Sequence, residues 1–573
     1  MKKLLPYLRP YLVFTIIAPL FMLLEVWMDI LSPMYMSSII NDGVAAGDTQ
    51  HILYTSVKMV AVAVAGVIGG VGNMYFSTKA GYGFAKELRA AVYRKIQSFS
   101  FANIDQFKTG SLVTRTTNDI AQIQNAFTTC IRMLVRAPFL CIGGVIAILA
   151  ISPRLSLVVL AAMPVMGLIV FFMMKYAFPM FKRVQDKLDN VNVVMQENLA
   201  GIRVIKAFGR SEYEKKRFNA ANDELANTSM RAMRLMSLGF PLISLVMNIT
   251  MIMMYWFGGM FVFDGAMRAG DIMAFSNYIT QILMALTQSS FMLLFVSRAQ
   301  VSFARVNEVL NTALDITDGP DASATVEKGS VEFRNVSFRY PGDSADILTD
   351  ISFSAAPGET VAILGSTGAG KSTLVNLIPR LYDANGGQVL VDGRDVRDYT
   401  LDHLRAGIGM ALQESVLFTG SIEENLHWGD ENAPEEFVRQ AAQVAQAAPF
   451  VEGMEEGYNT MLGQRGVNLS GGQKQRLCIA RALIKRPKIL ILDDSTSAVD
   501  LATEAKIQAG LRELMGHLTV FIIAQRISSV RDADKILVLD GGRIVDIGKH
   551  DELIRRCEIY REIAQSQLGK EAV

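Results

Sequence analysis

The stretch from Gly365 to Ser372 has the residue types and the spacing of a loop that binds phosphate. Its sequence, GSTGAGKS, fits the pattern G-x-x-x-x-G-K-S/T and lies between an apolar run at 360–364 and a helical pattern at 372–381. Glycines let the backbone curl until its N–H groups face a β-phosphate, and the start of the following helix adds positive potential. Lys371 is expected to reach the β- and γ-phosphates, and the hydroxyl of Ser372 to ligate Mg²⁺. The residues predicted to bind nucleotide in this stretch are Gly365, Ser366, Thr367, Gly368, Ala369, Gly370, Lys371, Ser372 and Thr373.

A second candidate lies downstream, where the apolar run at 489–492 ends in Asp493. A buried strand that ends in a carboxylate can present it to the shell of a Mg²⁺ ion, which is the Walker B arrangement. Apolar strands that end in Asp are common, so this feature is informative only because the phosphate loop lies upstream. Together the two motifs predict a domain that binds a nucleoside triphosphate, with Ser372 and Asp493 on the metal.

The composition shows that these motifs belong to a chain with a large apolar part. The 573 residues are 51% apolar and only 19% charged, against a usual charged share of about 25%. Mean hydropathy is +0.27, and these values together exclude a disordered or fibrous chain. Lys and Arg total 56 and Asp and Glu 55, so there is no basic field that would predict a nucleic-acid partner. The four cysteines have neither metal-ligand spacing nor a paired pattern, which favours a reduced, cytosol-facing environment.

The apolar residues are concentrated before about residue 300. Six stretches there approach or exceed the roughly 20 residues that a helix needs to cross a bilayer. They are 14–32, 59–76, 134–151, 155–178, 236–263 and 272–296, of which the last is the least apolar. The polar segment TDGPDASATVEKGS at 317–330 predicts a linker. We therefore predict a transmembrane domain at 1–316, a linker at 317–330 and a nucleotide-binding domain at 331–573.

Basic residues mark the side of the membrane on which each connection lies. The N-terminus and the long connections at 77–132 and 179–235 are rich in Lys and Arg, whereas the turns after the first, third and fifth stretches are nearly free of them. The positive-inside rule then predicts that both termini and both long connections are cytoplasmic. These connections are rich in helix formers, so each is predicted to be two helical extensions joined by a short crossing segment. The candidates are FANIDQFK at 101–108 and AFGRSEYEKKRF at 207–218, with two solvated amphipathic turns as the alternative.

Between the two nucleotide motifs lies LSGGQ at 469–473, followed by KQR. With this segment the chain resembles the ABC transporter family over its whole length, in the pattern of an exporter half-transporter. The likeness extends to the degenerate-site subunit of a heterodimeric bacterial multidrug exporter. It implies an all-α six-helix transmembrane domain with long cytoplasmic helical extensions, followed by an α/β P-loop ABC ATPase domain. It also implies ATP and Mg²⁺ as ligands and a location in the bacterial inner membrane.

Other family landmarks match by residue. Tyr340 resembles the aromatic that stacks on adenine, with a packing tyrosine at a strand end as the alternative. Gln413 resembles the Q-loop glutamine, which touches Mg²⁺ and contacts the membrane domain. The segment SAVD at 497–500 resembles the D-loop, and TGSLVTR at 109–115 and GIRVIKAF at 201–208 match stretches beside the coupling helices.

The resemblance implies that ATP binds between two chains, which lie head to tail. The phosphate loop of one chain faces the LSGGQ segment of the other, so one chain alone cannot complete a site. In this chain the residues that would contact the partner's nucleotide are Ser470, Gly471, Gly472 and Gln473.

Three positions depart from the family pattern: Gln464, where the related stretch commonly has Glu, is a lesser deviation, and the other two are predicted catalytic residues. The family usually has Glu immediately after the Walker B aspartate, where this chain has Asp494. The shorter stem withdraws the carboxylate by roughly 1–1.5 Å, a misplacement that can cost about 100-fold in rate. The family also has a switch histidine where this chain has Gln525, which can donate a hydrogen bond but cannot carry a positive charge.

These departures suggest a heterodimer with unequal sites. This chain's phosphate loop, Asp494 and Gln525 would line a site that hydrolyses ATP slowly, while its LSGGQ segment would complete a competent site on a different half-transporter that has Glu and His. Neutral drift in a fully active homodimer is the alternative. The predicted function is ATP-driven export of drugs or other amphipathic compounds. A homodimeric lipid flippase, an importer of a chelated metal and a non-transporting, ATP-sensing regulatory subunit are the other hypotheses.

Polar residues within the predicted spans are candidates for contact with cargo, because charges are disfavoured in lipid. Glu25 and Asp29 share a face of the first span, and Arg136 lies near the start of the third. A cation-binding cavity is one interpretation; an internal ion pair for Glu25 and an outer-surface position for Asp29 are the others. The many methionines of the fourth and fifth spans are interpreted as lipid-facing filler in preference to a cavity for apolar ligands.

Overall fold

The chain folds into two compact units, which a computed structural model describes over residues 2–321, 323–514 and 517–568. The side chains at 2–5, 178, 289–298, 514 and 568 also lie outside this description. The first unit comprises Met1–Gln97 and Gly110–Asn311, and the second comprises Ser98–Thr109 and Thr312–Val573. The second unit thus takes in a short stretch whose flanking chain, on both sides, belongs to the first.

The first unit is helical. A 3-10 stretch at Lys2–Tyr11 precedes its first helix, and π-helical stretches at Ile39–Val44 and Arg115–Asp119 continue two others. With the short stretch of the second unit, the helices are α1 (Leu12–Ser38), α2 (Thr49–Gln97), α3 (Phe101–Phe107), α4 (Thr109–Thr114), α5 (Ile120–Ile151), α6 (Pro153–Ala200), α7 (Ile202–Ala207), α8 (Ser211–Ser237), α9 (Gly239–Phe263) and α10 (Ala269–Asn311).

Most of the predicted spans lie on helices that can cross a membrane. Within the described residues, five helical segments are long and apolar enough, and in each only 11–22% of the most apolar window is buried by protein. They are Pro6–Val44, Thr49–Gln97, Thr109–Ile151, Pro153–Ala200 and Ser211–Phe263, and they contain the first five predicted spans. The sixth, 272–296, lies on α10, but from 289 onward its side chains are outside the description, and α10 is not among the five.

The interior of the first unit is formed where α5, α6, α9 and α10 pack together. Phe275 and Tyr278 of α10 are fully buried there, in contact with a cluster that includes Met166 and Met254. The interpretation of the methionines as lipid-facing filler is therefore wrong for these two, which fill the helical core. An unbranched thioether adapts to the irregular gaps between crossing helices.

The two predicted crossing segments have different outcomes. The first coincides with α3, whose N-terminus is capped by Ser100 through its Oγ, which accepts from the backbone N–H of Asn103 at 3.2 Å. The second, 207–218, is wrong in its bounds. The short helix is α7, which ends at Ala207; a turn with Gly209 at φ 64° follows, and α8 already begins at Ser211. The charged residues at 212–217 suit the first turns of a long exposed helix, where they form i,i+3 ion pairs.

The rest of the second unit is an α/β domain with three sheets. Its strands are β1 (Val331–Phe338), β2 (Leu348–Ala355), β3 (Thr360–Gly365), β4 (Gly386–Val391), β5 (Arg394–Asp395), β6 (Ile408–Ala411), β7 (Gly420–Ser421), β8 (Met461–Leu462), β9 (Ile489–Asp493), β10 (Thr519–Ile523), β11 (Lys535–Asp540) and β12 (Arg543–Gly548). One antiparallel sheet has the order β2-β1-β4-β5, and β7 pairs with β8. The main sheet has the order β12-β11-β3-β10-β9-β6, in which β12 alone among its described neighbour pairs is antiparallel.

The described part of this domain also contains ten helices, several of which pack on the main sheet. They are α11 (Lys371–Asn376), α12 (Leu401–Ala406), α13 (Ile422–His427), α14 (Glu435–Val444), α15 (Ala448–Glu452), α16 (Gly471–Ile484), α17 (Leu501–Leu514), α18 (Ile527–Val530), α19 (His550–Arg556) and α20 (Glu558–Leu568).

The central strands are apolar on both faces because both faces are covered. In β9, Ile489 and Ile491 face one core cluster, shared with the antiparallel sheet, while Leu490 and Leu492 face another, shared with α16 and its neighbours. A buried parallel sheet therefore has continuous apolar runs in place of alternation. The apolar run of β9 ends at Asp493, at the carboxyl edge of the sheet.

Candidate nucleotide-binding site

The phosphate loop begins where β3 ends and continues into α11. Gly368 and Gly370 have φ of 84° and 94°, values that other L-residues rarely adopt. Gly365 is required for a different reason, since a Cβ there would lie 2.1 Å from the carbonyl oxygen of Leu539 on the neighbouring β11. The Lys371 ammonium donates to the carbonyl oxygens of Gly365 and Ser366 at 3.0 and 2.8 Å, across the mouth of the loop. The loop therefore has the curl that the sequence motif predicts.

Ser372 and Asp493 are brought together at the carboxyl edge of the sheet. The Ser372 hydroxyl donates to Asp493 Oδ1 at 2.9 Å, and Asp493 is only 4% exposed. Burial raises the pKa of the Asp493 carboxyl, and the neighbouring carboxylate of Asp494 raises it further. Burial also lowers the pKa of Lys371. A hydroxyl and a buried carboxylate are hard oxygen donors of the kind that Mg²⁺ prefers, so this pair fits that metal.

Asp494 and Gln525, the two predicted catalytic residues that depart from the family pattern, are in direct contact. Gln525 Nε2 donates to Asp494 Oδ2 at 3.0 Å. Asp494 has φ of 47°, in the left-handed region that Asp tolerates better than most residues, and its backbone N–H donates to the carbonyl of Ile523 at 3.1 Å. Burial raises the pKa of the Asp494 carboxyl, whereas the hydrogen bond from Gln525 lowers it.

Sequence reasoning missed a residue that connects several of these segments. Gln475 of α16 accepts a hydrogen bond from the backbone N–H of Ala498 at 2.9 Å and donates to the Ser497 hydroxyl at 3.2 Å. It is 6% exposed, and its amide also lies 3.4 Å from the carbonyl oxygen of Asp494. Its position two residues beyond the LSGGQ segment is the one signal that could have pointed to it. Gln475 thus links the start of α16 to the loop that follows β9.

Tyr340 contacts the first turn of α11. Its hydroxyl lies 3.0 Å from Thr373 Oγ1, and its ring meets those of Phe338 and Tyr382 edge to face, at 5.0 and 5.2 Å between centroids. Tyr382 in turn donates through its hydroxyl to Asp105 of α3 at 2.9 Å. Tyr340 and Thr373, both predicted to bind nucleotide, are therefore neighbours.

The LSGGQ segment forms the start of α16. Ser470 caps the helix, since its Oγ accepts from the backbone N–H of Gln473 at 3.3 Å while Gln473 Oε1 accepts from the N–H of Ser470 at 2.9 Å. Gly472 packs against the loop after β9, where a Cβ would lie 2.7 Å from the carbonyl oxygen of Ala498. Among the described residues, no hydrogen bond or ion pair joins this segment to the chain's own phosphate loop.

Comparison with known proteins agrees with this geometry. Residues 15–286 match the family described as ABC transporter transmembrane region, and residues 348–497 match the one described as ABC transporter. An uncharacterized ABC transporter ATP-binding protein of Bacillus subtilis is 40% identical over 571 residues, covering 100% of this chain and 99% of the relative. The chain belongs to the ABC transporter family.

Two further relatives of this ABC half-transporter narrow the class. The ATP-dependent lipid A-core flippase of Pseudomonas aeruginosa is 35% identical over 533 residues, with 91% of this chain and 86% of that protein covered. The solved structure of a bacterial Atm1-family ABC exporter with ATP bound superposes with a TM-score of 0.81 at 27% identity and covers 99% of both chains. The chain is therefore a multi-pass subunit of an ABC exporter, with a helical transmembrane domain and an α/β ATPase domain that couples ATP hydrolysis to transport. These comparisons confirm the fold class predicted from the sequence.

Gln413, the candidate Q-loop residue of this half-transporter, lies two residues beyond the end of β6. Its side chain is exposed. Because β6 pairs in parallel with β9, the chain leaves both strands at the same edge of the sheet as Asp493.

Three charged residues on the predicted spans form an ion cluster. Arg136 of α5 pairs with Glu25 and, at 3.1 Å, with Asp29 Oδ2 on α1. One guanidinium therefore reaches both carboxylates across the helix interface, and the outer-surface position considered for Asp29, whose side chain is 36% exposed, stays a prediction. The internal ion pair considered for Glu25 is what the structure contains. Glu25 packs against α2, where a Cβ on Gly70 would lie 3.2 Å from its Oε2.

Proposed function

We propose that this chain is one subunit of a heterodimeric ABC exporter and that its own phosphate loop, Asp494 and Gln525 form the slower of two ATP sites. The observation that carries the proposal is the hydrogen bond from Gln525 Nε2 to Asp494 Oδ2. The two side chains expected closest to the attacked phosphate are thereby bound to each other.

The chemistry of the pair supports slow hydrolysis. A general base must reach its water within hydrogen-bond distance, and the stem of Asp494 is one methylene shorter than that of the family's glutamate. One of its oxygens accepts from Gln525, so the two altered side chains lie together. The neutral amide of Gln525 cannot supply the charge-assisted hydrogen bond of a protonated histidine to a phosphate oxygen. ATP would therefore be held at this site for longer than at a site with Glu and His.

The LSGGQ segment supports the second half of the proposal. The reciprocal cap of Ser470 and Gln473 orders the first turn of α16, so the N–H groups of Gly471 and Gly472 lie at a well-formed helix start. A phosphate of a nucleotide held by another chain would meet these donors. This chain therefore keeps what a partner's site needs while its own hydrolytic pair is altered, which is the asymmetry expected of one member of a heterodimer.

We assign Mg²⁺ to Ser372 and Asp493, with Gln413 as a further ligand. The metal would neutralise charge on the β- and γ-phosphates when bound. ATP would be held by Tyr340 against the base and by the loop around Lys371 at the phosphates.

The test compares ATP turnover by the chain purified without another half-transporter, where two copies would have to pair to complete a site, with turnover after Asp494→Glu and Gln525→His, singly and together. We expect slow turnover by the native chain and a gain of about tenfold or more in the double variant, because a correctly placed base recovers part of a roughly 100-fold penalty. Asp343→Asn, in the exposed turn after β1, is the matched control and should change nothing. Brisk turnover by the native chain together with no gain in the Asp494→Glu variant would contradict the proposal.

For cargo, we propose amphipathic compounds moved out of the cytoplasm or inner leaflet of a bacterial inner membrane, with both termini cytoplasmic. The flippase of Pseudomonas aeruginosa supports a lipid as a second candidate. Reconstitution in vesicles distinguishes them: a lipid cargo would stimulate ATP turnover and change leaflet, whereas a drug exporter would accumulate a cationic dye in inverted vesicles. A non-transporting, ATP-sensing subunit would do neither, and its assembled complex would keep transport after disruption of Ser470–Gln473.

A further inference from the structure

The C-terminal helix α20 holds the backbone on both sides of Arg526. Gln567 Nε2 donates to the carbonyl oxygen of Gln525 at 2.6 Å, and Gln567 Oε1 accepts from the backbone N–H of Ile527 at 2.8 Å. Arg526 between them is extended, with φ −103° and ψ 133°. A primary amide has the same donor and acceptor as a peptide group, so Gln567 binds this segment as a neighbouring strand would.

α20 is itself fixed to the core of the domain. Tyr560 and Ala564 are fully buried in the cluster that lies on one face of the main sheet. Tyr560 also shares a hydrogen bond of 2.7 Å with His550 Nδ1 of α19. Residues 560, 564 and 567 follow the i, i+4, i+7 spacing of one helix face, so the buried anchors aim Gln567 at the segment that it binds. Gln567 is exposed despite these bonds, so solvent and bound molecules can reach it.

The segment that Gln567 holds includes Gln525, which is hydrogen-bonded to Asp494. Its two hydrogen bonds fix the backbone of Gln525, and the side chain of Gln525 bonds to the Asp494 carboxylate at 3.0 Å. These three residues, with Arg526, also line one cavity, of about 300 Å³, beside Glu504.

We propose that Gln567 is a positioning residue for ATP hydrolysis, through which the C-terminal helix sets the placement of Gln525. The proposal rests on the role of Gln525 in the proposed function. It does not require the two sites of the transporter to be unequal. We call the two hydrogen bonds from Gln567 to the backbone of Gln525 and Ile527 the clamp. When the clamp is lost, the backbone of Gln525 can move, and Gln525 and Asp494 are no longer held together where the attacking water must be. A molecule that binds α20 at Gln567 would change the turnover rate without touching nucleotide.

The test is a double-mutant cycle in the full-length chain, in the oligomeric state in which it purifies. We measure kcat and KM for ATP for Gln567→Ala, Gln525→Ala and the double variant. We expect Gln567→Ala to lower kcat about threefold to tenfold with KM unchanged. A change of that size in rate is typical of the loss of one hydrogen bond. In the Gln525→Ala background the same change should have no further effect. Gln567→Asn, which keeps the amide on a shorter stem, should recover part of the rate. Gln565→Ala, on the same helix, is the matched control.

Hydrogen exchange gives a second measurement that does not depend on turnover. The Ile527 amide donates to Gln567, so its exchange should accelerate in Gln567→Ala while amides of β10 stay protected. Independent effects of Gln567→Ala and Gln525→Ala on kcat, or an unchanged kcat beside faster exchange, would overturn the proposal and leave the clamp structural. The proposal of unequal sites fails separately, by brisk native turnover, and the cycle is then measured on that faster rate.

Discussion

The Ser372 hydroxyl donates to Asp493 Oδ1 at 2.9 Å, which joins the phosphate loop to the end of β9. The two residues are 121 positions apart in the chain. The pair exists because β3 and β9 flank β10 in one parallel sheet, so the loop after β3 and the end of β9 emerge at the same edge.

Removal of either member of this pair should weaken Mg²⁺-dependent retention of ATP. We expect Ser372→Ala and Asp493→Asn each to weaken retention at 1 mM Mg²⁺ by about tenfold to 100-fold, since a hard cation loses an oxygen ligand. The double variant should be little worse than the worse single variant, because both act through one ion. Filter retention of labelled ATP across a Mg²⁺ series measures this. Losses that multiply in the double variant would mean that the two residues do not share a ligand.

Gly365→Ala should displace the end of β3, where the phosphate loop begins. The added Cβ would meet the carbonyl oxygen of Leu539 at 2.1 Å, and because that oxygen belongs to a sheet backbone, β3 must shift. We expect at least about a tenfold loss of ATP affinity and a lower melting temperature. Gly453→Ala is the control, since φ at Gly453 is −78° and the nearest atom to its added Cβ is 3.4 Å away. Unchanged affinity in Gly365→Ala would show that the strand yields at no cost.

Asp494→Asn should stabilise the nucleotide-free protein at neutral pH. Burial raises the pKa of this carboxyl above its ordinary value of 3.8, so the folded state prefers the protonated acid. Below pH 3.8 the carboxyl is protonated in both the folded and the unfolded state, and its burial does not destabilise the fold. As the pH rises through the folded-state pKa the buried carboxyl ionises, and the folded state loses stability. At pH 7.5 the variant should therefore melt about 1–3 °C above the native chain, and the difference should shrink as the pH falls toward 4. Thermal unfolding in detergent across this range is the measurement, with Asp343→Asn as the exposed control; a difference independent of pH would contradict the assignment.

Arg136→Met should destabilise the membrane unit. It leaves Glu25 and Asp29 facing each other without their cation, and unpaired charges in an apolar region are costly. Since the Arg136 side chain is 38% exposed, we expect a modest loss, of about 1–2 kcal/mol, seen as a lower melting temperature in detergent. Combining Arg136→Met with Glu25→Gln and Asp29→Asn should restore most of it. Failure of the neutral triple variant to recover would show that the guanidinium stabilises the helices through packing.

The chemistry of the site could be predicted from local sequence motifs. The contacts that support the site could be found only from the folded structure. GSTGAGKS carries its own backbone requirements in Gly368 and Gly370, and a buried strand ending at Asp493 has to emerge beside it. Gln475 and Gln567 have no such local signature. Each acts on backbone that only tertiary structure brings near, since Gln567 bonds to residues 40 and 42 positions away.

The membrane half shows where periodicity alone is insufficient. Long apolar runs predicted the first five spans, but charged residues at 212–217 were assigned to a crossing segment when they begin α8. Such residues suit an exposed helix and a polar loop equally well, so the boundary depends on the turn at Gly209. Likewise, sequence spacing placed Glu25 and Asp29 on one face, but the partner that neutralises both lies on another helix.

The position of α3 within the second unit limits how the ATPase half can be produced in isolation. Ser100 donates to Asp315, Asn103 reaches the carbonyl of Ala313, and the ring of Phe101 lies 6.2 Å from that of Tyr382. A recombinant fragment that starts at residue 312 would omit this helix and uncover the aromatic surface beneath it. Such a fragment would be prone to self-association, so a soluble enzyme excised from this polypeptide needs the missing twelve residues supplied as a tethered or added peptide.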